Sequence, residues 1–224
     1  DIYLCAARHI QMEPVYGGSE DTAATLRGVA GEGLLGCSFA DRYLALASLV
    51  MDPDPRTRRI AVESLGRTET PESELMLRMV VLADRLEGKS FLGRSIRPDE
   101  EDGDIIALGL QGLMSIAPER SLPFVAEFLR AEKSIVAEGA ALAIGEARLP
   151  ESFSTLHAVW GRPGGPDEFS LLLPMALTRD ERAIEFLLDV VENEPTPIAA
   201  TAVEALSIFG SDEDLVTRIS EIVE

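Results

Sequence analysis

The chain has 224 residues, with 39 Asp and Glu against 20 Lys and Arg, which gives a formal net charge of −19. This acidic excess argues against nucleic acid and anionic lipid as partners, because both carry negative charge and bind basic protein surfaces. Apolar residues make up 46% of the chain and aromatic residues only 5%, so the composition favours one or two globular domains over a disordered segment or a β-sandwich.

Amphipathic helices are predicted along almost the whole chain, because apolar residues recur with helical spacing and strand-type alternation is absent. Prolines mark the boundaries between these helices, as at 52–55, 117–118 and 194–197, since proline ends a helix or opens the next one. The predicted helices span 21–36, 39–51, 55–66, 71–88, 104–116, 120–131, 134–146, 150–160, 167–177, 180–192, 197–209 and 212–223. The short connections favour antiparallel pairs of neighbouring helices.

An alanine-rich helix that ends in Leu or Ile and then Gly recurs along the chain. Examples span 59–66, 138–145 and 202–210. Equivalent leucines lie 29 residues apart at Leu113 and Leu142, and 64 residues apart, or twice 32, at Leu142 and Leu206. A period of about 30 residues with two helices per unit is typical of an α-solenoid.

Two parts of the chain depart from this period. The first 38 residues fit it poorly, so we predict an irregular N-terminal unit or cap at 1–38 and a repeat solenoid at 39–224. Leu65 and Leu113 are 48 residues apart, which is longer than one repeat and predicts a surface loop inserted at about 88–103.

The segment 49–66 carries the most specific repeat signal. It runs from an Asp-Pro turn, with Asp54 placed to cap a helix, through the basic residues Arg58 and Arg59 into a helix that ends in Leu-Gly. This order resembles the HEAT-repeat consensus, in the short form of phycobilisome lyase-type repeats. The resemblance implies an all-α fold, a right-handed α-solenoid of about five to six antiparallel helix pairs. Later units carry alanine near the basic position, as at Ala137, which interrupts any continuous Asp–Arg ladder.

Two patterns resemble cofactor or catalytic motifs without the context that such motifs need. Gly31-Glu-Gly-Leu-Leu-Gly36 fits the spacing of a dinucleotide-binding loop, but no strand is predicted before it, so we expect close helix packing at these glycines. Cys37, His157 and Asn193 follow the order of a papain-like site, but neither its local motif nor its two-lobed fold is indicated. We therefore predict no catalytic residues and no cofactor.

Candidate metal ligands are sparse. Cys5 and His9 are four residues apart and would share one helix face, but a second pair is missing. The acidic loop 99–104 lacks the ligand spacing of an EF-hand and is interpreted as a solvated loop. Ile10 and Ala158 follow the two histidines, whereas HEAT-type di-iron hydroxylases use His-Glu pairs. No metal site is predicted.

The acidic excess is concentrated at the end of the chain. Residues 180–224 contain 12 acidic and 2 basic side chains, so they carry −10 of the total of −19. One interpretation is a solvated face that keeps the end of the solenoid soluble. The other is an acidic surface that attracts a basic protein partner.

These observations favour a non-catalytic scaffold or adaptor that binds another protein. Recognition is expected along the second helices of successive pairs, at polar positions off the apolar stripe. The candidate contact residues are Glu127, Arg130, His157, Glu185 and Arg218. The resemblance implies an alternative, an enzyme-assisting protein of the phycobilin-lyase type that helps to attach a chromophore.

The longest apolar run is short for a membrane span. It covers 171–177 and contains a proline, whereas a spanning helix needs roughly 18 apolar residues. A cytoplasmic location is therefore favoured. The chain begins with Asp rather than Met, so a removed signal segment and a longer parent chain stay open alternatives, and no oligomeric state is indicated.

Overall fold

The structure of the chain is a computed structural model that describes residues 2–39, 41–82, 90–91, 94–95, 102–210 and 212–223. The chain is mostly helical, with thirteen α-helices among the described residues, which confirms the all-α class. It divides into two compact units, a first unit at Asp1–Ala117 and a second unit at Pro118–Glu224. Each unit has its own fully buried apolar side chains, such as Leu65 in the first and Leu187 in the second.

The first unit contains six α-helices and two short antiparallel strand pairs among its described residues. In chain order these are α1 (Ile2–Ala6), β1 (Met12–Val15), β2 (Gly18–Asp21), α2 (Ala24–Leu35), α3 (Arg42–Val50), α4 (Pro55–Leu65), α5 (Pro71–Leu82), β3 (Ser90–Phe91), β4 (Arg94–Ser95) and α6 (Asp102–Ile116). Helix α4 packs between α2 and α6 and forms one layer with them, and α3 and α5 pack against these helices. Because α2 packs extensively on α4, the predicted cap at 1–38 shares its core with the helices that follow.

The predicted helices agree with the observed ones to within a few residues. Helix α4 begins at Pro55, as predicted, because the Asp54 side chain accepts a hydrogen bond from the backbone N–H of Arg56 at 2.9 Å and caps the helix. The predicted helix 71–88 is confirmed as far as Leu82, where α5 ends. Its remaining residues, and most of the predicted loop at 88–103, lie outside the described residues.

The hairpin of β1 and β2 shows that the expected absence of strands was wrong. Its register runs from Met12 opposite Asp21 to Val15 opposite Gly18. Every residue of β1 is exposed, and Tyr16 at the turn is fully exposed. A strand that buries neither face has no reason to alternate apolar and polar residues, so its sequence carries no strand pattern.

Arg27 of α2 is the centre of a buried ion-pair cluster in the first unit. Its side chain is 3% exposed and forms a bidentate pair with Asp52, at 2.9 and 3.0 Å. Its Nη1 atom also donates to the Asp21 carboxylate at 2.5 Å and to the carbonyl of His9 at 3.0 Å. The hydrogen bond to Asp52, and then that to Asp21, raise the pKa of Arg27. The cluster therefore ties both ends of the β1–β2 segment to α2.

A second arginine holds the same hairpin from the solvent side. Arg56 of α4 pairs with Glu20 at 2.5 Å and with Asp54 at 2.9 Å, and it donates to the backbone carbonyl of Asp21 at 3.1 Å. The Asp21 carboxyl also accepts a hydrogen bond from the backbone N–H of Gln11, and this bond is the largest cause of the lowered pKa of Asp21. Because an isolated hairpin is at best marginally stable in water, these polar contacts hold in place a segment that contributes little to the core.

The second unit contains seven α-helices among its described residues. In chain order these are α7 (Pro118–Ala126), α8 (Ser134–Ala147), α9 (Ser152–His157), α10 (Glu168–Leu177), α11 (Glu181–Asn193), α12 (Thr196–Leu206) and α13 (Glu213–Val223), with 3₁₀ turns at Glu127–Arg130 and Ser207–Phe209. Helix α10 packs between α8 and α12 and forms one layer with them, whereas α11 packs against α10, α12 and α13. Helix α9 ends at His157, three residues before the predicted boundary at 160.

The glycine motif in α2 is a packing feature. Gly31 and Gly33 lie inside the helix, and Gly36 is its C-cap residue. A Cβ atom at Gly31 would lie 2.9 Å from the Leu49 side chain, and one at Gly33 would overlap the ring of Tyr3. These close approaches confirm the prediction of close helix packing. A phosphate-binding loop would instead need the glycines at a turn between a strand and a helix.

A glycine also sets the approach of α8 to α10 in the second unit. A Cβ atom at Gly145 would overlap the backbone carbonyl oxygen of Pro174. A carbonyl group in a helix cannot swing aside as the end of a long side chain can. Any larger residue at this position therefore forces the two helices apart.

We expect Arg27→Met to destabilise the first unit by about 3–5 kcal/mol, because two carboxylates then lose their buried partner. Arg56→Gln is the matched control, since its exposed ion pairs contribute at most about 1 kcal/mol. Urea denaturation followed by circular dichroism measures both variants. Equal unfolding midpoints for the two would contradict the central role of Arg27.

We expect Gly145→Ala to destabilise the second unit by about 3 kcal/mol, because the added methyl group meets backbone rather than a movable side chain. Gly36→Ala is the control, since a Cβ atom there meets only the carbonyl oxygen of Gly33 at 3.6 Å. Thermal unfolding curves of the two variants test this. A Gly145→Ala melting temperature equal to that of the control would show that α8 and α10 are not held this close.

Candidate functional site

A groove opens to solvent on the layer of α8, α10 and α12 in the second unit. Its volume is about 380 Å³, within the range typical of binding sites. All three helices contribute to its walls. The lining residues are Glu138, Leu142, Phe169, Ser170, Leu173, Pro174, Thr201, Glu204 and Ala205.

The floor of the groove is apolar and open to water. Leu142, Phe169 and Leu173 are 37%, 41% and 43% exposed. Phe169 and Leu173 are four residues apart on α10 and so lie on the same face of that helix. Leu171 and Leu172, on its other sides, are fully buried. Helix α10 is therefore apolar both towards the core and towards the groove, which is typical of a helix with two contact surfaces.

Two carboxylates lie on opposite walls of the groove. Glu138 of α8 is half-buried and Glu204 of α12 is exposed. Neither side chain has an ion-pair partner within the part of the chain that the structure describes. The surrounding unit, residues 118–224, carries 20 acidic and 8 basic side chains, a net charge of −12. The groove is thus complementary to a cation.

The other polar groups of the groove are bonded to their own helices. The Ser170 hydroxyl donates to the carbonyl of Asp167 at 2.7 Å, and the Thr201 hydroxyl donates to the carbonyl of Pro197 at 3.1 Å. Pro174 has no N–H, so it cannot donate to the carbonyl of Ser170 as a residue in this position of a helix normally does. The groove thus combines apolar contact area with carboxylate and hydroxyl acceptors.

The first unit has a wider opening of about 580 Å³ on its layer of α2, α4 and α6, near the start of α4. Its charged lining residues are Arg56, Arg59 and Asp104. Arg56 is held by Glu20 and Asp54, and Arg59 pairs with Asp104 at 3.1 Å. Its cations thus already have partners, which makes it a weaker candidate than the groove of the second unit.

The residues predicted as partner contacts lie on other helices than the groove. Glu127 and Arg130 are exposed in the 3₁₀ turn after α7, and His157 is exposed at the end of α9. Glu185 lies on α11 and Arg218 on α13. None of these five is among the residues that line the groove.

Two of the predicted contact residues bind each other. Arg218 donates two hydrogen bonds to the Glu185 carboxylate, at 2.9 and 2.8 Å, and so joins α13 to α11. The hydrogen bonds from this guanidinium lower the pKa of Glu185 below its usual value. Each therefore satisfies the charge of the other. Because both side chains are exposed, water and salt screen the pair, and it contributes little to stability.

His157 belongs to an aromatic cluster between α9 and α11. Phe186 lies at its centre, with ring centroids 4.8 Å from His157, 5.2 Å from Trp160 and 6.1 Å from Phe153. The contacts with His157 and Trp160 are edge-to-face, the arrangement that aromatic rings favour. Phe153 of α9 and Trp160, in the turn after it, thus pack against Phe186 of α11.

The residues in papain-like order each have local partners. The Cys37 thiol donates to the carbonyl of Gly33 at 3.4 Å. The Asn193 amide donates to the Asp189 carboxylate at 2.9 Å. His157 packs against the aromatic rings described above. Cys37 and Asn193 thus bond within their own helices or helix ends, and His157 contacts a ring of α11.

The predicted helix face shared by Cys5 and His9 is wrong. Helix α1 ends before His9, whose Nε2 atom lies 3.4 Å from the Gln11 side-chain oxygen. The acidic loop 99–104 is described only from Asp102, where α6 begins. Within the described residues, His, Cys, Asp and Glu form no group of three that could hold a metal ion.

Comparison with known proteins leaves the groove as the main guide to function. No family model matches the chain, and no curated protein matches it either. Among the described residues, no helix is both long and apolar enough to cross a bilayer. What the groove binds is therefore inferred from its own side chains and charge.

We expect Phe186→Ala to shift the fluorescence emission of Trp160, the single tryptophan, to longer wavelength, because the indole loses its aromatic neighbour and becomes more hydrated. The same change lowers the free energy of unfolding by about 2 kcal/mol, less than for a fully buried ring. Leu44→Ala, at a residue of α3 that is 62% exposed, is the control. Unchanged emission in Phe186→Ala would show that the two rings are not in contact.

Proposed function

We propose that the chain is a non-catalytic scaffold that binds a protein partner in the groove on α8, α10 and α12. One observation carries this proposal. The groove brings together exposed apolar side chains and two carboxylates that have no ion-pair partner among the described residues. Covering the apolar side chains is favourable, and a cation near each carboxylate adds orientation and specificity. A partner with both apolar and basic side chains satisfies both.

The proposal includes a HEAT-like scheme, in which antiparallel helix pairs stack as an α-solenoid. Support comes from each unit taken separately. In the first unit α2, α4 and α6 lie side by side, and in the second α8, α10 and α12 do so. Regularly stacked pairs present long surfaces of side chains, and such surfaces suit the binding of another protein.

The acidity of the second unit has two roles in this proposal. Most of this negative charge acts at long range. A net charge of −12 in residues 118–224 raises the association rate of a basic partner. Contact is made by Glu138 and Glu204 in the groove. Glu185 has a smaller part, since Arg218 already neutralises it.

Photo-crosslinking tests the site. A photoreactive phenylalanine analogue at Leu173 is expected to crosslink one discrete protein in an extract of the source cells. The same analogue at Leu75, which is 60% exposed on α5, is the matched control and is expected not to do so. Equal crosslinking from both positions would argue against the groove.

Binding of the crosslinked protein, once purified, then tests the chemistry. Glu138→Gln with Glu204→Gln is expected to weaken binding about five-fold, and raised salt should weaken it further. Glu192→Gln with Glu194→Gln removes the same charge from exposed positions at the end of α11 and is expected to have little effect. If both double variants lost the same amount of affinity, the overall negative charge of the chain, rather than the groove, would explain the binding. A stoichiometric complex with an added bilin, seen as an absorbance shift, would favour chromophore attachment instead.

A further inference from the structure

The groove offers side chains rather than backbone groups to its occupant. Its walls are three α-helices, whose N–H and C=O groups are largely used within each helix. A peptide that binds as an added β-strand pairs its backbone with a sheet edge, and the residues that line this groove all lie on helices. A helical segment satisfies its backbone internally and presents only side chains. The surface therefore favours a helix over a strand.

The exposed apolar side chains of the groove suit the side of a helix. Phe169 and Leu173 are one turn apart on α10, and Leu142 on α8 also lines the groove. Because the groove is open to solvent, a helix, which is about 10–12 Å wide with its side chains, can rest on these three side chains with its other face in water.

The two glutamates define the sides of such a helix. Glu138 stands on the α8 wall and Glu204 on the α12 wall, with the apolar residues of α10 between them. A helix that pairs with both glutamates has a narrow apolar stripe, with basic residues along each side of that stripe. A helix with all of its basic residues on one border would satisfy only one glutamate.

We infer that the groove binds an amphipathic α-helix of a partner protein, with a narrow apolar stripe bordered on both sides by Lys or Arg. This inference rests on the proposed function and specifies the chemistry of the partner. Helix-in-groove recognition of this kind takes its affinity from the buried apolar side chains and its orientation from the charged borders.

Three synthetic peptides of about 18 residues, long enough to form a helix when bound, test the inference. The first has leucine along one stripe and lysine on both borders. The second has the same composition in scrambled order, and the third carries two prolines that prevent a helix. Each is labelled and titrated with the full chain, and binding is followed by fluorescence anisotropy.

The first peptide is expected to bind at least about ten-fold more tightly than the other two, because only it can bury a continuous stripe as a helix. Glu138→Gln with Glu204→Gln should weaken its binding about five-fold, and Glu192→Gln with Glu194→Gln should not. Leu173→Ala should also weaken it, with circular dichroism confirming that this variant is folded.

Equal binding of the first and third peptides would overturn the helical occupant, and so would equal binding of the first and scrambled peptides. If binding still depended on the two groove glutamates, the proposed scaffold function would stand with a different class of partner. The inference is also overturned if none of the groove variants changes the affinity for the first peptide, or if no peptide binds. The crosslinking experiment at Leu173 then decides the scaffold function independently.

Discussion

The groove depends on how closely α8 and α10 approach each other, and that approach depends on Gly145. Without a side chain at this position, α8 meets the backbone carbonyl of Pro174 directly. Pro174 is also part of the groove lining, and Leu142 and Leu173 stand close to the contact along their helices. The shape of the candidate site is therefore fixed by backbone contact, which is stiffer than contact between flexible side chains.

Small residues and apolar side chains bring helices into contact in both units, as at Gly31 in the first and Gly145 in the second. The first unit also relies on ion pairs. Its buried Arg27 cluster and the exposed Arg56 pairs hold a hairpin that buries almost no apolar surface of its own. Removing one partner of a buried ion pair costs more free energy than breaking an exposed pair, because the remaining charge is left buried and unpaired. Arg27 is therefore the contact on which the hairpin position depends, and Arg56 adds to it.

Much of the helical structure could be predicted from the sequence, because proline and Asp-Pro turns mark helix ends independently of tertiary contacts. The cap at Asp54 is one example. The β1–β2 hairpin could not be predicted, since its position comes from ion pairs with Arg27 and Arg56 on later helices rather than from an apolar face of its own. The groove could not be predicted for another reason. Polar positions such as Glu185 predict partner contacts, whereas the groove is lined by Phe169 and Leu173, which a sequence alone assigns to the core. The apolar run at 171–177 was the available signal that α10 has more than one apolar face.

The proline in β1 has a consequence for how this chain behaves at high concentration. Two-stranded sheets with open edges can recruit strands from other molecules and grow into aggregates. Pro14 lies within β1 opposite Ser19, and proline in an edge strand leaves a gap in the row of outward backbone donors. A strand from a neighbouring molecule cannot complete its ladder across that gap. The β1 edge of the hairpin can therefore expose Met12 and Val15 to water without acting as a template for intermolecular sheet formation.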